Sequence, residues 1–141
     1  WDGFNDASGI HNVGSDNTMV ACAGVANELH VCLRKNDGRL FHAIRKADGS
    51  WDGFNDASGI HNVGSDNTMA ACAGVGNELH VCLRKNDGRL FHAIRKADGS
   101  WDGFNDASGI HNVGSDNTMA ACAGVGNELH VCLRKNDGSN N

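Results

Sequence analysis

Polar and aromatic side chains suited to binding a hydroxylated ligand recur in this chain every 50 residues. An aromatic ring can pack against the apolar face of a cyclic ligand, while carboxylate, amide, imidazole and guanidinium groups hydrogen-bond to hydroxyls. The members of this set lie near the ends of predicted strands, and they are the candidate ligand-binding residues: Trp1, Trp51, Trp101, His11, His61, His111, Asp16, Asp66, Asp116, Asn17, Asn67, Asn117, Arg39 and Arg89.

Several of these side chains also have a structural interpretation. Trp51 is either a stacking platform at the mouth of a pocket or an edge-strand aromatic that covers a neighbouring sheet. Asp66 and Asn67 belong to a Gly-Ser-Asp-Asn-Thr loop, and such side chains commonly form Asx turns at the start of a strand. His42 and His92 lie on otherwise apolar strands, where a packed, hydrogen-bonded histidine is the favoured interpretation.

Catalysis is disfavoured by the same repetition. The chain has no Gly-x-Ser-x-Gly nucleophile motif, and each copy has one glutamate, which is Glu28 in the first. Spacing alone leaves open a pair of aspartates for glycoside hydrolysis. Active sites usually combine unlike residues once, so we predict a protein with no enzymatic activity, no cofactor and no metal.

Six cysteines form three pairs, ten residues apart. Both members of a pair lie among small or apolar residues, which favours buried free thiols. A disulfide across each hairpin is the alternative, and zinc is disfavoured because the usual close Cys-Cys spacing is absent. The pairs are Cys22/Cys32, Cys72/Cys82 and Cys122/Cys132.

The composition argues against two classes of partner. The net charge is -5 with the signs interspersed and no basic run, which disfavours nucleic acid. No apolar stretch approaches the roughly 18 residues of a membrane span. The chain starts at Trp1 without a basic-then-apolar leader, so we expect a mature secreted or recombinant soluble protein, its location otherwise unspecified.

The whole chain, residues 1–141, is predicted to be a single repeat domain. Its copies are nearly identical; Ala26 of the first copy, for example, is replaced by Gly76 in the second. A fixed period of this length indicates units that bury their apolar faces against one another. The copies span 1–50, 51–100 and a truncated 101–138, followed by a tail at 139–141.

Four segments of each repeat have strand character, separated by turn residues. Alternating apolar side chains and small or β-branched residues mark the strands, while Asn-Asp-Gly and Ala-Asp-Gly-Ser mark tight turns. Residues 57–67 form the longer connection to the next unit. The predicted strands are 18–25, 28–35, 39–46 and 51–56.

A two-residue turn at Asp37-Gly38 is predicted to set the register of the second and third strands. It pairs Leu33 with His42, Cys32 with Ala43, and Val31 with Ile44. His30 and His42 then lie on opposite faces, which argues against a metal site between them. One face would hold Leu29, Val31, Leu33, Leu40 and Ile44, and the other Cys32, Ala43, Phe41, His30, Arg34 and Arg45.

Apolar groups on both faces of a four-stranded antiparallel meander predict a β-propeller blade. The small residues of the first strand, Ala21 to Gly24, suit the crowded position beside the propeller axis, and the Trp strand suits the outer edge. A three-fold β-trefoil is the alternative, but its hairpins need large core residues. A helical solenoid is disfavoured by the alternation and by the 19 glycines.

Three blades are too few to close a ring, since propellers typically have four to eight. A lone chain would expose apolar blade faces and strand edges. We therefore expect a homo-oligomer in which chains complete the ring, with a dimer giving six blades as the favoured arrangement.

The strings GNELHVC and DGRLFHAIRKADGSW resemble the blade repeat of the bacterial propeller lectins typified by the Photorhabdus fucose-binding lectins, and the likeness covers every copy. The resemblance implies a seven-bladed propeller with pockets between adjacent blades for fucose and related or O-methylated sugars. This chain differs from that pattern in having fewer than three complete repeats.

We therefore expect a multivalent lectin that binds fucosylated glycans. The alternative is a designed or recently amplified symmetric scaffold that self-assembles without binding a ligand tightly. A propeller that binds another protein is a third interpretation.

Overall fold

The computed structural model of the protein describes residues 16–56, 66–107 and 116–137. In these ranges the chain forms three antiparallel sheets, so the all-β prediction is confirmed. The strands are β1 (Asn17–Val25), β2 (Glu28–Lys35), β3 (Leu40–Arg45), β4 (Trp51–Asp56), β5 (Asn67–Val75), β6 (Glu78–Lys85), β7 (Leu90–Arg95), β8 (Trp101–Asp106), β9 (Asn117–Val125) and β10 (Glu128–Lys135).

The sheets are the repeated meanders predicted for propeller blades. The first sheet has the order β1-β2-β3-β4 and the second β5-β6-β7-β8, while β9 and β10 form the third. Strand bounds agree with the predicted ones to within one residue. The predicted turn before β4 is also present, because Asp48 Oδ1 accepts hydrogen bonds from the amide of Ser50 at 2.9 Å and its hydroxyl at 2.6 Å.

The predicted register between β2 and β3 is wrong by one residue. Leu33 pairs with Phe41, and Cys32 pairs with His42. The loop has three residues rather than two, because the amide of Lys35 donates to the carbonyl of Arg39 at 2.9 Å. Of the loop residues only Gly38 has positive φ, at 88°, which is typical of a three-residue hairpin loop ending on a left-handed glycine.

The corrected register redistributes the side chains between the two faces of each sheet, since residues directly opposite one another share a face. We call the side with Leu29, Val31 and Leu33 the front face, and the side with His30 and Cys32 the back face. Leu40, His42 and Ile44 therefore lie on the back face, whereas Phe41, Ala43 and Arg45 lie on the front. The predicted grouping of Leu40 and Ile44 with the leucines of β2 is wrong.

The sheets stack with the back face of one against the front face of the next. Cys32 and Leu40 of the first sheet form one apolar cluster with Leu79, Val81 and Leu83 of the second. A second cluster joins the second and third sheets in the same way: Cys82, Leu90, Ala107, Ala120 and Leu133. Both faces of the second sheet are therefore covered, as the apolar pattern predicted.

The innermost strands approach most closely at a glycine. A Cβ added at Gly74 of β5 would lie 2.0 Å from the carbonyl oxygen of Gly24 in β1. Gly124 of β9 stands in the same relation to Gly74, again at 2.0 Å. The small-residue strand therefore occupies the crowded inner position that the sequence predicted.

Replacing Gly74 with alanine should destabilise the stack, because the new methyl group overlaps backbone that cannot rotate away. We expect the free energy of unfolding to fall by about 3 kcal/mol or more, measured by urea titration. Gly76→Ala is the control: nothing lies within 4 Å of its added Cβ, and Ala26 holds the same turn at φ 54°. It should cost about 1–2 kcal/mol because its φ is positive, and an equal loss in both variants would contradict the close approach.

Candidate functional site

We call the packed interface between two neighbouring sheets a seam. The seam between the first and second sheets opens into a pocket at one end of the strands. The pocket has a volume of about 250 Å³, and we call it the His30 pocket. Residues from both sheets line it: Val25, Ala26, Glu28 and His30 from the first, and Asn77, Arg95 and Ala97 from the second. Neither sheet alone contains the site.

Antiparallel pairing brings these residues to the same end of the seam. The β1–β2 turn and the end of β3 lie at the same end of a meander, because alternate strands run in opposite directions. Glu28 and His30 begin β2 in the first sheet, whereas Arg95 ends β7 in the second. Stacking of the two sheets then places the start of β2 in the first sheet beside the end of β7 in the second.

Four polar side chains converge in the pocket. The Oε1 atom of Glu28 lies 3.6 Å from Nε2 of His30, and the Glu28 side chain is 38% exposed. Among the residues that the structure describes, none hydrogen-bonds to the side chains of Asn77 or Arg95. The pocket thus offers carboxylate and amide acceptors together with amide and guanidinium donors.

His30 also forms a buried pair with His42. Its Nδ1 atom lies 3.0 Å from Nε2 of His42, a hydrogen-bond distance, and the rings stack with centroids 5.2 Å apart. The expectation that these histidines lie on opposite faces is wrong, because the three-residue loop moves His42 to the back face. His80 and His92 repeat the pair at 3.0 Å, which agrees with the prediction of packed, hydrogen-bonded histidines.

The environment of His30 disfavours its protonated form. Burial lowers the pKa of His30 first, and the nearby Arg95 guanidinium lowers it further. The Glu28 carboxylate acts in the opposite direction, but the net change is downward. His30 therefore enters the pocket as a neutral ring with one donor and one acceptor nitrogen.

A second pocket, of about 240 Å³, lies at the opposite end of the same seam and contains two predicted site residues. Asp66 is held by an ion pair with Lys85 at 2.9 Å. The Asn67 side chain is buried and donates through Nδ2 to the carbonyl of Gly38 at 3.0 Å, across the seam. The pocket is lined by Arg34, Asn36, Asp37, Gly38, Asp66, Asn67, Thr68 and Asn86.

Three of the equivalents of these two residues make the same contacts in the other copies. Asp16 and Asp116 pair with Lys35 and Lys135 at 3.0 Å, and the hydrogen bond from Lys35 lowers the pKa of Asp16. Asn117 donates to the carbonyl of Gly88 at 3.0 Å across the second seam. Asn17 begins β1.

The predicted arginines and tryptophans lie outside the His30 pocket. Arg39 forms an ion pair with Asp37 at 2.7 Å and lies over the ring of Phe41, and Arg89 repeats the arrangement. Trp101 packs on the apolar cluster of the first seam, its ring edge-to-face with His42 at 5.6 Å. This contact matches the interpretation of an aromatic that covers the neighbouring sheet, and Trp51 holds the same position at the start of β4. Trp1, His11, His61 and His111 lie outside the described residues.

All six cysteines are free, as predicted, but the predicted burial is wrong for Cys22 and Cys132, which are exposed. Cys22 pairs with Val31 and Cys32 with Ala21, so the two thiols of one hairpin point to opposite faces and the alternative of a hairpin disulfide is wrong. The contacts run between sheets instead: a hydrogen bond with Cys32, together with burial, raises the pKa of Cys72. Cys82 and Cys122 form the equivalent contact.

Sequence reasoning missed Glu28, Asn77 and Arg95 as a group. The available signal was topological, since the β1–β2 turn and the end of β3 must lie at one end of any meander. Combining that signal with stacking would have brought Glu28 of one copy near Arg95 of the next. The predicted set instead included Asp66 and Asn67 at the opposite end of the seam, where their side chains contact Lys85 and the carbonyl of Gly38.

Comparison with known proteins gives no assignment: no protein-family model matches the chain, and no curated protein shows significant sequence similarity to it.

The lowered pKa of His30 predicts a stability that depends on pH. The unfolded chain binds the His30 proton more tightly than the folded chain, with a pKa of about 6.5. The free energy of unfolding should therefore be unaffected above about pH 6.5 and should fall as the pH drops below that value. Urea midpoints measured from about pH 7.5 to pH 5, above most carboxylate titration, test this.

The variant His30→Gln should reduce this dependence on pH. His130→Gln, measured at concentrations where the chain is monomeric, is the matched control, because the His130 side chain is then 55% exposed against 2% for His30. An unchanged slope in His30→Gln would contradict the assignment to His30.

Proposed function

We propose that this protein is a non-catalytic, multivalent carbohydrate-binding protein whose sugar sites lie in the seams between blades. The observation that carries the proposal is the His30 pocket, where Glu28, His30, Asn77 and Arg95 converge from two sheets. The Asn77 and Arg95 side chains have no hydrogen-bond partner among the described residues, so their donors are available to a ligand.

The chemistry of the pocket suits a small hydroxylated ligand. A sugar hydroxyl both donates and accepts, so it can bridge the Glu28 carboxylate and the Arg95 guanidinium. Asn77 adds a planar amide with both functions. A ligand bearing a single negative charge would gain from Arg95 but would meet Glu28 beside it, so the pocket favours a neutral polyol over an anion.

The walls of the pocket support a deoxy sugar. Val25, Ala26 and Ala97 supply apolar surface beside the polar groups. A methyl group such as C6 of fucose gains by leaving water against such a wall, whereas a hydroxymethyl group would lose hydrogen bonds there. Together with the resemblance of the repeat to the propeller lectins, this supports fucose or a related O-methylated sugar as the ligand.

The absence of catalysis is supported by the carboxylates of the pocket. Glycoside hydrolysis in most families needs two carboxyl groups flanking the bond that breaks. Of the seven described residues that line the His30 pocket, Glu28 is the only acid. Within the described part of the chain, no helix is long and apolar enough to cross a membrane.

Repetition supports multivalency. The seam between the second and third sheets repeats one wall of the pocket, with Nε2 of His80 3.4 Å from Glu78 Oε1. The described strands of the third sheet, β9 and β10, supply no counterpart of Arg95, so a further complete pocket would form where chains assemble. Several weak sites on one particle bind a sugar-coated surface more tightly than any one site does, because the second contact is intramolecular.

Arg95→Ala should weaken sugar binding at the His30 pocket by about tenfold or more, since hydrogen bonds to a charged group contribute about 1.5–3 kcal/mol. Calorimetry with methyl-L-fucoside measures the loss, and L-galactose, which differs from L-fucose by one hydroxyl, should bind more weakly. The control is the double variant Arg39→Ala/Arg89→Ala, which removes two guanidinium groups outside the pocket.

The outcomes separate the interpretations. Loss in Arg95→Ala with retention in the control supports the His30 pocket. Loss in the control alone moves the site to the opposite end of the seam, where Asp66 and Asn67 of the predicted set lie. No binding of any sugar on a glycan array by the folded protein would overturn the proposal in favour of a symmetric scaffold without a ligand.

A further inference from the structure

Two faces of the stack have no neighbouring sheet among the described residues, and each exposes part of its surface. The front face of the first sheet exposes Leu29 to 36%, whereas its equivalent in the second sheet, Leu79, is 1% exposed. The back face of the third sheet exposes the His130 side chain to 55%, against 2% for His30. Cys22 and Cys132, one on each uncovered face, are the two exposed thiols of the described residues.

These two faces are the two halves of an interface that the chain already makes twice. Within the chain, the back face of one sheet covers the front face of the next, at both seams. The uncovered front face carries the same β2 sequence as the covered one, and β9 and β10 repeat the sequence of β5 and β6. The third sheet supplies no counterpart of Leu40 or Leu90 among its described strands, but it retains the two inner strands through which neighbouring sheets approach one another. A second copy of the chain therefore offers each uncovered face the inner strands that already pack at both internal seams.

The inner strand of the uncovered front face also has room for the backbone of a second copy. Nothing lies within 4 Å of a Cβ added at Gly24, whereas one added at Gly74 would overlap the carbonyl oxygen of the preceding sheet. Gly74 and Gly124 must be glycines because a carbonyl oxygen of the preceding sheet lies against them, and no such group lies against Gly24. A second copy docked on this face would bring a carbonyl oxygen to Gly24 in the same way.

We propose that a second copy of this chain docks head to tail, with the back face of its third sheet on the front face of the first sheet. The contact repeats the internal seam: Gly124 of one copy meets Gly24 of the other, and Cys132 meets Cys22 as Cys32 meets Cys72. Such a heterologous contact propagates from copy to copy until a ring closes.

The docking assembles a pocket that no single chain contains. Glu128 and His130 of one copy take the places of Glu28 and His30, and Asn27 and Arg45 of the other take the places of Asn77 and Arg95. In the third sheet Glu128 is 80% exposed and 3.9 Å from His130, and no described residue forms an opposite wall to these side chains. Sugar binding at this junction pocket rests on the proposed function, but the docking does not.

The assembly is tested first by mass. Light scattering of the intact chain should give a multiple of the 14.9 kDa of one chain. Gly24→Val should give 14.9 kDa particles with an unchanged β-sheet circular dichroism spectrum, because the added side chain blocks docking and its Cβ has no neighbour within 4 Å in the chain. Leu29→Glu, which places a charge on the same face, is the second blocking variant, and Gly76→Ala is the control that should assemble. A monomeric wild-type chain, or assembly that survives both blocking variants, overturns the proposal.

Thiol labelling tests the direction of docking. Head-to-tail contact buries Cys22 and Cys132 together, so maleimide should label both slowly in the assembled chain and rapidly in Gly24→Val, as read by mass spectrometry. Protection of Cys22 with rapid labelling of Cys132 would indicate two front faces in contact and would overturn the proposal.

The junction pocket is tested by the stoichiometry of methyl-L-fucoside binding. Arg45→Ala should remove one site per chain from the assembly and leave the Gly24→Val monomer unaffected, while Arg95→Ala should remove a site from both. Assembly with no sugar binding at all would refute the proposed function and leave the docking intact. Sugar binding that Arg45→Ala does not reduce would refute the junction pocket alone.

Discussion

The structure depends on one constraint: every sheet has apolar side chains on both faces, so each needs a neighbour on both sides. Leu79, Val81 and Leu83 fill the front of the second sheet, while Cys82 and Leu90 fill its back. Burying such side chains contributes about 1.5–3 kcal/mol each, which no isolated sheet of this kind obtains. Stacking is therefore the source of stability, and the glycines of the inner strands set how closely the sheets approach.

The sequence predicted the strands well because their ends are set locally. Asn-Asp-Gly and Ala-Asp-Gly-Ser contain their own turn chemistry, and the alternation between them has a period of two. The register was predicted wrongly because Asp-Gly and Asn-Asp-Gly are both common hairpin loops, of two and three residues, in the same string. A difference of one residue moved Leu40, His42 and Ile44 to the other face, and with them the histidine pair.

The candidate site was harder to predict than the fold for a physical reason. Asp66 and Asn67 resemble ligand-binding residues because they are polar and lie near strand ends. At these strand ends, however, backbone groups and a buried lysine also need hydrogen-bond partners. Their side chains meet those needs, as the contacts with Lys85 and Gly38 show. The His30 pocket instead combines Glu28 of one copy with Arg95 of the next, and such a pair is visible only once the register and the direction of stacking are both known.

The three copies show that the site belongs to the seam and not to the sheet. The same Glu-x-His pair begins β2, β6 and β10, but the histidine side chain is 2%, 11% and 55% exposed in turn. Its surroundings differ in what covers the back face: a full sheet, two strands, and no sheet in the described part of the chain. Identical residues thus have different chemistry according to their neighbour. The back face of a sheet forms one wall of one seam, and its front face forms one wall of the next. A substitution made at the same position in every copy therefore alters both walls of a pocket at once.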